Sequence, residues 1–396
     1  MKEITIVGMG VGEGALTPDA RRAIEDAEVI FGAPSVTERY SGPEQRTYPC
    51  YLAGDVMAAV KKDKAEKYVV LVSGDVGFYS AAAGFSEAVT EHEIRFVPGI
   101  STVNAFFAKL KMPWQDAAFV STHGRKMNVV DAVRRNRLTF CVTGSNIGEI
   151  GTALCKAGFG HILTYVGESL GKDAEQVYEV TGAELAHKQF PKMTVLLFIN
   201  EEFDDRIFCG LPDSQFSRLS GIPMTKSETR AIIMSKLRLR PNSVCWDVGA
   251  GTGSVTVEMA LSAYRGHVYS IERREEAIPL IEQNCGAFHL GNVTAICGRA
   301  PEIFEEIPAP DAVFIGGSGG RIDEIISAAF AQNPDVRIVV SAVTIETVPA
   351  ALSALAEAGL EPEIVQIGIS RGKRIGKLHM TEAQNPVTII SAGGKP

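Results

Sequence analysis

At 396 residues the chain is too long for one ordinary hydrophobic core, so two domains are expected. Its 45% hydrophobic and 22% charged residues are those of a soluble globular protein, and no apolar run nears the ~18 residues of a membrane span. The net charge of −8, divided as −5 over residues 1–210 and −3 over the rest, leaves neither half the basic surplus of a nucleic-acid binder.

The first unit is expected over residues 1–205. Residues 4–7 read as a buried strand, followed by the glycine turn Gly8-Met-Gly-Val-Gly-Glu-Gly14 and a helix with Thr17 as N-cap and Pro18 at its first position. Gly10-x-Gly12-x-x-Ala15 has a dinucleotide pattern, but the helix starts too late for it. The next strand, 29–31, also ends in Gly32-Ala-Pro34 without the acid that would hold a ribose. Strand 68–72 runs into Ser73-Gly-Asp-Val-Gly-Phe-Tyr-Ser80. Two further stretches, Phe96-Val-Pro-Gly-Ile-Ser-Thr102 and Phe119-Val-Ser-Thr-His-Gly-Arg125, again end a strand in small and polar residues. Open α/β sheets place their ligands at such carboxyl ends. Asp75 and the pair Ser101-Thr102 also read as helix N-caps. His123 reads as a hydrogen-bonded structural histidine, and residues 134–137 as a solvated helix end.

These loops, in this order, resemble the tetrapyrrole methylase family, with its Gly-x-Gly-x-Gly start, Ser-Gly-Asp loop, Pro-Gly-x-Ser/Thr turn and Thr-Val-x-Phe-like closing strand, here Met193-Thr-Val-Leu-Leu-Phe198. Tyr165-Val-Gly-Glu-Ser-Leu-Gly171 and Glu175-Gln-Val-Tyr178 are similar to the variant that methylates C5 of the corrin ring. The resemblance implies two α/β subdomains with S-adenosylmethionine (SAM) between them, held by Gly74, Asp75, Val76, Ser101 and Thr102. It implies that the first glycine loop, Gly10 and Gly12, faces the tetrapyrrole. Val76 stands where the family often has proline.

Residues 206–220, with Gly210 and Pro212, read as a linker. The second unit, 221–396, opens with a helix entry in which Thr225 and Glu228 have capping-box spacing. Strands are expected at 244–248, 267–271, 293–296, 312–315 and 337–340, alternating with helices. After the first of these comes Gly249-Ala-Gly-Thr-Gly253. Ser254 stands where a dinucleotide fingerprint has its last glycine, and Asp247 stands two residues before the first. Glu272, 25 residues after Asp247, ends the next strand, where an acid can take both ribose hydroxyls. This Asp-x-Gly-x-Gly-x-Gly pattern resembles motif I of the class I SAM methyltransferases, a Rossmann-like α/β fold. The resemblance implies cofactor contacts from Gly249, Ala250, Gly251, Thr252, Gly253, Glu272 and the Ala300 backbone. The opening motif around Thr225 is similar to that of C15-methylating, decarboxylating enzymes of corrin synthesis, which adds Thr225 to the cofactor set. The glycine loop 316–320 is expected over the substrate mouth. Arg371 and Lys373, in the basic stretch 368–379, could grip carboxylates, although a solvated loop reads equally well.

As a whole the sequence resembles fused, decarboxylating methyltransferases of cobalamin biosynthesis. The resemblance implies SAM-dependent methylation of precorrin-6B at C5 by the first unit. It assigns C15 methylation and loss of CO2 from the C12 acetate to the second, giving precorrin-8X. In-line methyl transfer rests on positioning, so no nucleophilic triad or metal is required. Decarboxylation would gain from an acid near the ring, for which Glu228, Arg230 and Ser341 are candidates. Seven cysteines without a Cys-x-x-Cys spacing argue against disulfides or zinc and are expected as reduced, mostly buried thiols. With no signal-like opening segment, they predict a cytoplasmic protein. The expected partner is a small tetrapyrrole, with no nucleic acid and no membrane, and a homo-oligomer is expected by analogy. An RNA or protein methylase is the competing enzyme reading for the second unit, disfavoured because no Asn/Asp-Pro-Pro-Tyr run is present and the charge is negative. A non-enzymatic pair of SAM-binding modules is the other alternative.

Overall fold

A computed structural model describes residues 2–12, 14–89, 91–124, 127–206 and 209–394. The chain divides into two compact units. One comprises residues 1–127, 136–151 and 162–202, the other residues 128–135, 152–161 and 203–396.

The first unit holds two sheets. Strands β1 (Glu3–Gly8), β2 (Val29–Phe31), β3 (Arg46–Tyr48), β4 (Lys67–Val72) and β5 (Glu93–Val97) form a parallel sheet in the order β3-β2-β4-β1-β5. Both of its faces are covered, which is why the strands read as continuous apolar runs. Ile4, Ile6, Phe31, Val70 and Val72 fill one side, and Val7, Ile30, Val69 and Leu71 the other. Thr17 caps helix Pro18–Glu25, its hydroxyl accepting from the Ala20 N–H at 3.1 Å. The second sheet contains β6 (Ala117–Ser121), β7 (Leu138–Val142), β8 (Leu163–Glu168), β9 (Gln176–Thr181) and β10 (Thr194–Ile199) in the order β6-β7-β10-β8-β9. It is antiparallel apart from the β6–β7 pair.

The second unit is built on seven strands, β11 (Val244–Val248), β12 (His267–Glu272), β13 (Val293–Cys297), β14 (Ala312–Ile315), β15 (Arg337–Ala342), β16 (Glu363–Ile367) and β19 (Val387–Gly393), ordered β13-β12-β11-β14-β15-β19-β16. Between β16 and β19 stands a separate two-stranded ribbon, β17 (Ser370–Ile375) and β18 (Leu378–Ala383). Strand order reverses at β11, so a crevice opens at the carboxyl ends of β11 and β14. Alternate residues serve opposite cores. Trp246, Val248, Val313, Ile315, Ile338 and Val340 pack with helices Ile322–Gln332 and Thr347–Glu357. Cys245, Phe314 and Val339 pack with helices Ser227–Leu237 and Ser254–Ser262. Each such side chain stabilises the unit by about 1.5–3 kcal/mol relative to exposure.

Several local expectations need correction. The segment expected as a linker is part of the second unit. Leu211 and Phe216 are buried beside Val257 and Ile281, and the Gly210 and Leu211 N–H groups donate to Glu258 at 3.0 and 2.9 Å. No capping box forms at Thr225. The helix begins at Ser227, after Lys226, whose carbonyl accepts from the Arg230 N–H at 2.8 Å, while the Thr225 carbonyl accepts from the Arg230 guanidinium. Arg134 is buried against Asp131 at 2.8 Å and is not a solvated helix end. Only Cys141, Cys245 and Cys285 are buried, while Cys155, Cys209 and Cys297 are exposed and Cys50 is half-buried, all as free thiols. Among the described residues no helix is long and apolar enough to cross a membrane.

Candidate active sites

In the second unit, β11 delivers Asp247 and then turns through three glycines with left-handed φ, at +74° for Gly249, +57° for Gly251 and +74° for Gly253. The space a Cβ would need at Gly249 is taken by the Gly317 backbone at 2.6 Å, and at Gly251 by the Pro223 carbonyl at 2.6 Å. These glycines therefore bring three backbone segments together, a demand of the protein itself before any ligand binds. Gly253 packs on Ile281 and starts helix Ser254–Ser262.

The resulting cavity, about 230 Å³, is lined by Thr225, Gly249, Ala250, Gly251, Glu272, Ala300 and the loop 316–319, with Phe314 and Ile325 as apolar walls. Glu272 is only 8% exposed. Its carboxylate accepts from the N–H of Gly251 at 3.0 Å and of Arg274 at 3.1 Å, which fixes it at the end of β12. Thr252 and Gly253, expected with the cofactor set, are not on this wall. Thr252 is fully buried, and its hydroxyl has no partner among the described residues.

Asp247 is also fully buried. The Thr256 hydroxyl donates to its Oδ2 at 2.5 Å, and its Oδ1 has no partner among the described residues. Burial, with the Glu272 charge adding to it, raises its pKa to about 7. The folded chain therefore holds a proton, between the ordinary aspartate value of 3.8 and about 7, that the unfolded chain releases. Stability from this group is present below that window and is lost as pH rises through it. Denaturation of the second unit is expected to become easier from pH 5 to pH 8, and Asp247→Asn to flatten that slope. Urea titrations across this range measure it, and an unchanged slope in the variant contradicts the assignment.

The three residues considered as acids are placed differently from that expectation. Arg230 is fully buried and pairs with Glu258 at 2.8 Å and Asp213 at 3.1 Å, with further bonds to the Leu211 and Thr225 carbonyls. It lies off the cavity wall and acts as an internal tie. Arg230→Ala leaves the buried Glu258 carboxylate without a cation, while Asp213 keeps Arg371, and is expected to lower stability by about 3 kcal/mol. Thermal unfolding of the variant checks this, and an unchanged midpoint contradicts it. Glu228 is hydrogen-bonded by the Arg371 guanidinium, which holds its pKa down at about 2, so it has no proton to give at neutral pH. Ser341 lies within β15, opposite Ile389 of β19, and is not on the cavity wall. Arg371 is engaged by Glu228 and by Asp213 at 3.2 Å, whereas Lys373 pairs with Glu382 across the ribbon at 3.4 Å.

The first unit has its own cavity, about 620 Å³, within the range of small-molecule sites. Gly10, Gly12, Gly74, Asp75, Ser101, Thr102 and His123 all line it. Gly10 and Gly74 exchange backbone hydrogen bonds at 3.0 and 3.2 Å, so the glycine turn is clamped to the Ser-Gly-Asp loop. Asp75 is no helix cap. It accepts from the Gly77 N–H at 2.8 Å and the Gly99 N–H at 3.2 Å, tying its loop to the Pro-Gly turn. Ser101 does cap helix Thr102–Leu110 through the Asn104 N–H. The Val76 side chain packs on the core below and does not line the cavity. His123 is exposed on the wall, without a hydrogen bond among the described residues. Glu13 and Arg125, in two of the quoted loops, lie outside the described residues.

Sequence reasoning overlooked the cations on both walls. Arg273, Arg274, Arg299 and Arg321 line the second cavity, and Arg39, Lys172 and Lys192 the first. Three of them adjoin predicted positions, since Arg273 and Arg274 follow Glu272 and Arg299 precedes Ala300.

Residues 3–186 match the family described as Tetrapyrrole (Corrin/Porphyrin) Methylases, and residues 219–393 the family described as Precorrin methyltransferase domain. A Sinorhizobium protein named "Precorrin-6Y C(5,15)-methyltransferase [decarboxylating]" is 29% identical over 97% of this chain and 95% of its own length. A Pyrobaculum calidifontis protein named "Probable cobalt-precorrin-6B C(15)-methyltransferase (decarboxylating)" is 44% identical over 46% of this chain and 95% of its own length. A solved Geobacter metallireducens structure titled as a precorrin-6Y C5,15-methyltransferase is 37% identical, covering 47% of this chain and 97% of that one, with a TM-score of 0.45.

Proposed function

This chain belongs to the decarboxylating precorrin methyltransferases, and on that premise we propose that it methylates precorrin-6B at C5 and C15 and removes CO2 from the C12 acetate, giving precorrin-8X. The observation that carries this reading is the presence of two separate glycine-lined cavities, one in each unit. We assign C5 methylation to residues 1–205 and C15 methylation with decarboxylation to residues 221–396, with the stretch 209–220, anchored by buried Leu211 and Phe216, serving the second unit. The same reading makes the protein a cytoplasmic homo-oligomer.

The chain is SAM-dependent, and the residues present suit that cofactor. Glu272 offers two fixed carboxylate oxygens suited to a vicinal diol, and the turn 249–251 presents backbone without side chains. In the first unit Gly74, Asp75, Ser101 and Thr102 fill this role, with Val76 limited to its backbone. When bound, SAM supplies an electrophilic methyl on a good leaving group. The protein's part is then orientation, since holding the acceptor carbon in line is worth several kcal/mol. The wall cations serve an acceptor carrying several carboxylates. Apolar walls such as Phe314 and Ile325 exclude water, which favours loss of a carboxylate from a site that solvates it poorly.

Incubation with methyl-labelled SAM and precorrin-6B, followed by carbon NMR, is expected to place label at C5 and C15 only. Label elsewhere on the ring, or transfer to RNA in preference to the ring, would refute the assignment.

A further inference from the structure

His123 lines the first cavity, yet it neither clamps the loops nor belongs to the residues assigned to the cofactor, and its imidazole has no hydrogen bond among the described residues. Its backbone, by contrast, is fixed. Strands β6 and β7 pair in parallel as far as Ser121 opposite Val142. Thr122 follows and is buried. Its N–H donates to the Val142 carbonyl at 2.9 Å and its hydroxyl to Asn146 Oδ1 at 3.0 Å. Gly124, with a left-handed φ of +68°, then turns the chain away. The imidazole is therefore carried on a rigid root at the carboxyl end of a strand, where α/β sheets place their ligands.

The reaction proposed for this unit leaves a proton to be removed. When an enamine-like ring carbon takes the methyl, the carbon–sulfur electron pair departs with sulfur and the ring becomes a cation. The acceptor carbon then holds both the new methyl and its original hydrogen. A gain of one methylene per methyl requires that hydrogen to leave as a proton, its bonding pair returning to the conjugated ring.

Few groups on this wall can receive it. Asp75 has one carboxylate oxygen on the Gly77 N–H and the other on the Gly99 N–H. Tyr40 and Tyr79 are phenols, and the Tyr79 hydroxyl already donates to the Phe119 carbonyl at 3.1 Å. The wall cations Arg39, Lys172 and Lys192 are hydrogen-bond donors only. A neutral imidazole keeps a lone pair on one ring nitrogen, and histidine is the side chain most often used as a base. Being exposed, His123 can also pass the proton on to water.

We propose that His123 is the catalytic base of the first unit, taking the proton from C5 once the methyl is in place. The inference rests on the C5 assignment under the proposed function.

The test uses the full chain with methyl-labelled SAM and precorrin-6B, reading label at C5 and CO2 release together. His123→Ala is expected to lower kcat for C5 methylation at least about a hundredfold, with KM for the ring little changed. CO2 release and both SAM binding events by calorimetry are expected to match wild type. Added imidazole should restore part of the C5 rate, and His123→Lys should stay as slow as the alanine variant. Unchanged C5 labelling in His123→Ala overturns the proposal. A slow alanine variant that imidazole does not accelerate also overturns it, and recovery with lysine would then identify a carboxylate-binding cation instead. Loss of a SAM binding event in His123→Ala overturns it in favour of a structural role. A wild-type chain that places no label at C5 overturns the C5 assignment and the base with it.

Discussion

Glu272→Ala is expected to abolish CO2 release while methylation at C5 continues. The carboxylate is held by the Gly251 and Arg274 N–H groups and is almost wholly withdrawn from solvent, so it is oriented before a ligand arrives. Two hydrogen bonds from a diol to a charged group contribute about 1.5–3 kcal/mol each. Losing them costs about 3 kcal/mol or more, a hundredfold or greater loss of SAM affinity. The substitution also leaves two backbone N–H groups without their acceptor, and it removes the neighbouring charge that helps raise the Asp247 pKa. Calorimetry on the full chain should then lose one of two SAM binding events. Two unaltered events would show that Glu272 does not hold the cofactor.

Gly99→Ala is expected to do the reverse, removing C5 methylation while CO2 release continues. A Cβ there would stand 2.3 Å from the Gly74 carbonyl oxygen, 2.6 Å from that of Gly8 and 2.7 Å from the Gly10 nitrogen. All three neighbours are backbone, so relief requires the three loops to separate. Overpacking of this kind costs about 1–3 kcal/mol even where side chains can yield. Here the separation would spoil the clamp between Gly10 and Gly74 and the Asp75 contact to Gly99. We expect at least about a hundredfold loss of C5 methylation, in line with the sensitivity of such reactions to small misplacements. Gly74→Ala provides the contrast. Its φ of +68° imposes strain, but no atom lies within 4 Å of the added carbon. A cost of about 1–2 kcal/mol is expected there, with measurable activity. Equal activity of Gly99→Ala and wild type would contradict the packing account.

The difference between what could and could not be read from sequence follows the range of the interactions involved. The alternation in β11, β14 and β15, the Thr17 cap and the step from Asp247 through the glycine turn to Glu272 are written in residues near one another. The burial of Leu211 and Phe216 is not, because the Gly and Pro punctuation around them looks like any loop. What fixes that stretch is Glu258, 48 and 47 residues away from its two N–H donors. Thr225 and Glu228 have the right spacing for a capping box, but Arg230 and Arg371 draw on that segment from elsewhere in the fold. Arg371 looked free to bind substrate for the same reason, since its partner Asp213 lies 158 residues away. Gly249 lines the cavity, but the space its Cβ would need is filled by Gly317, a contact between two loops that sequence spacing does not show. The wall cations had no periodic signature at all. An arginine beside a predicted contact reads as a surface charge until the cavity is seen.

The most direct test of the central claim is the mass of the ring product after the full chain has acted on precorrin-6B with excess SAM. Two active modules predict a product heavier by two methylenes and lighter by one CO2. A product that gains a single methyl and keeps its carboxylates, or an unchanged ring while SAM is consumed on another acceptor, would contradict the account.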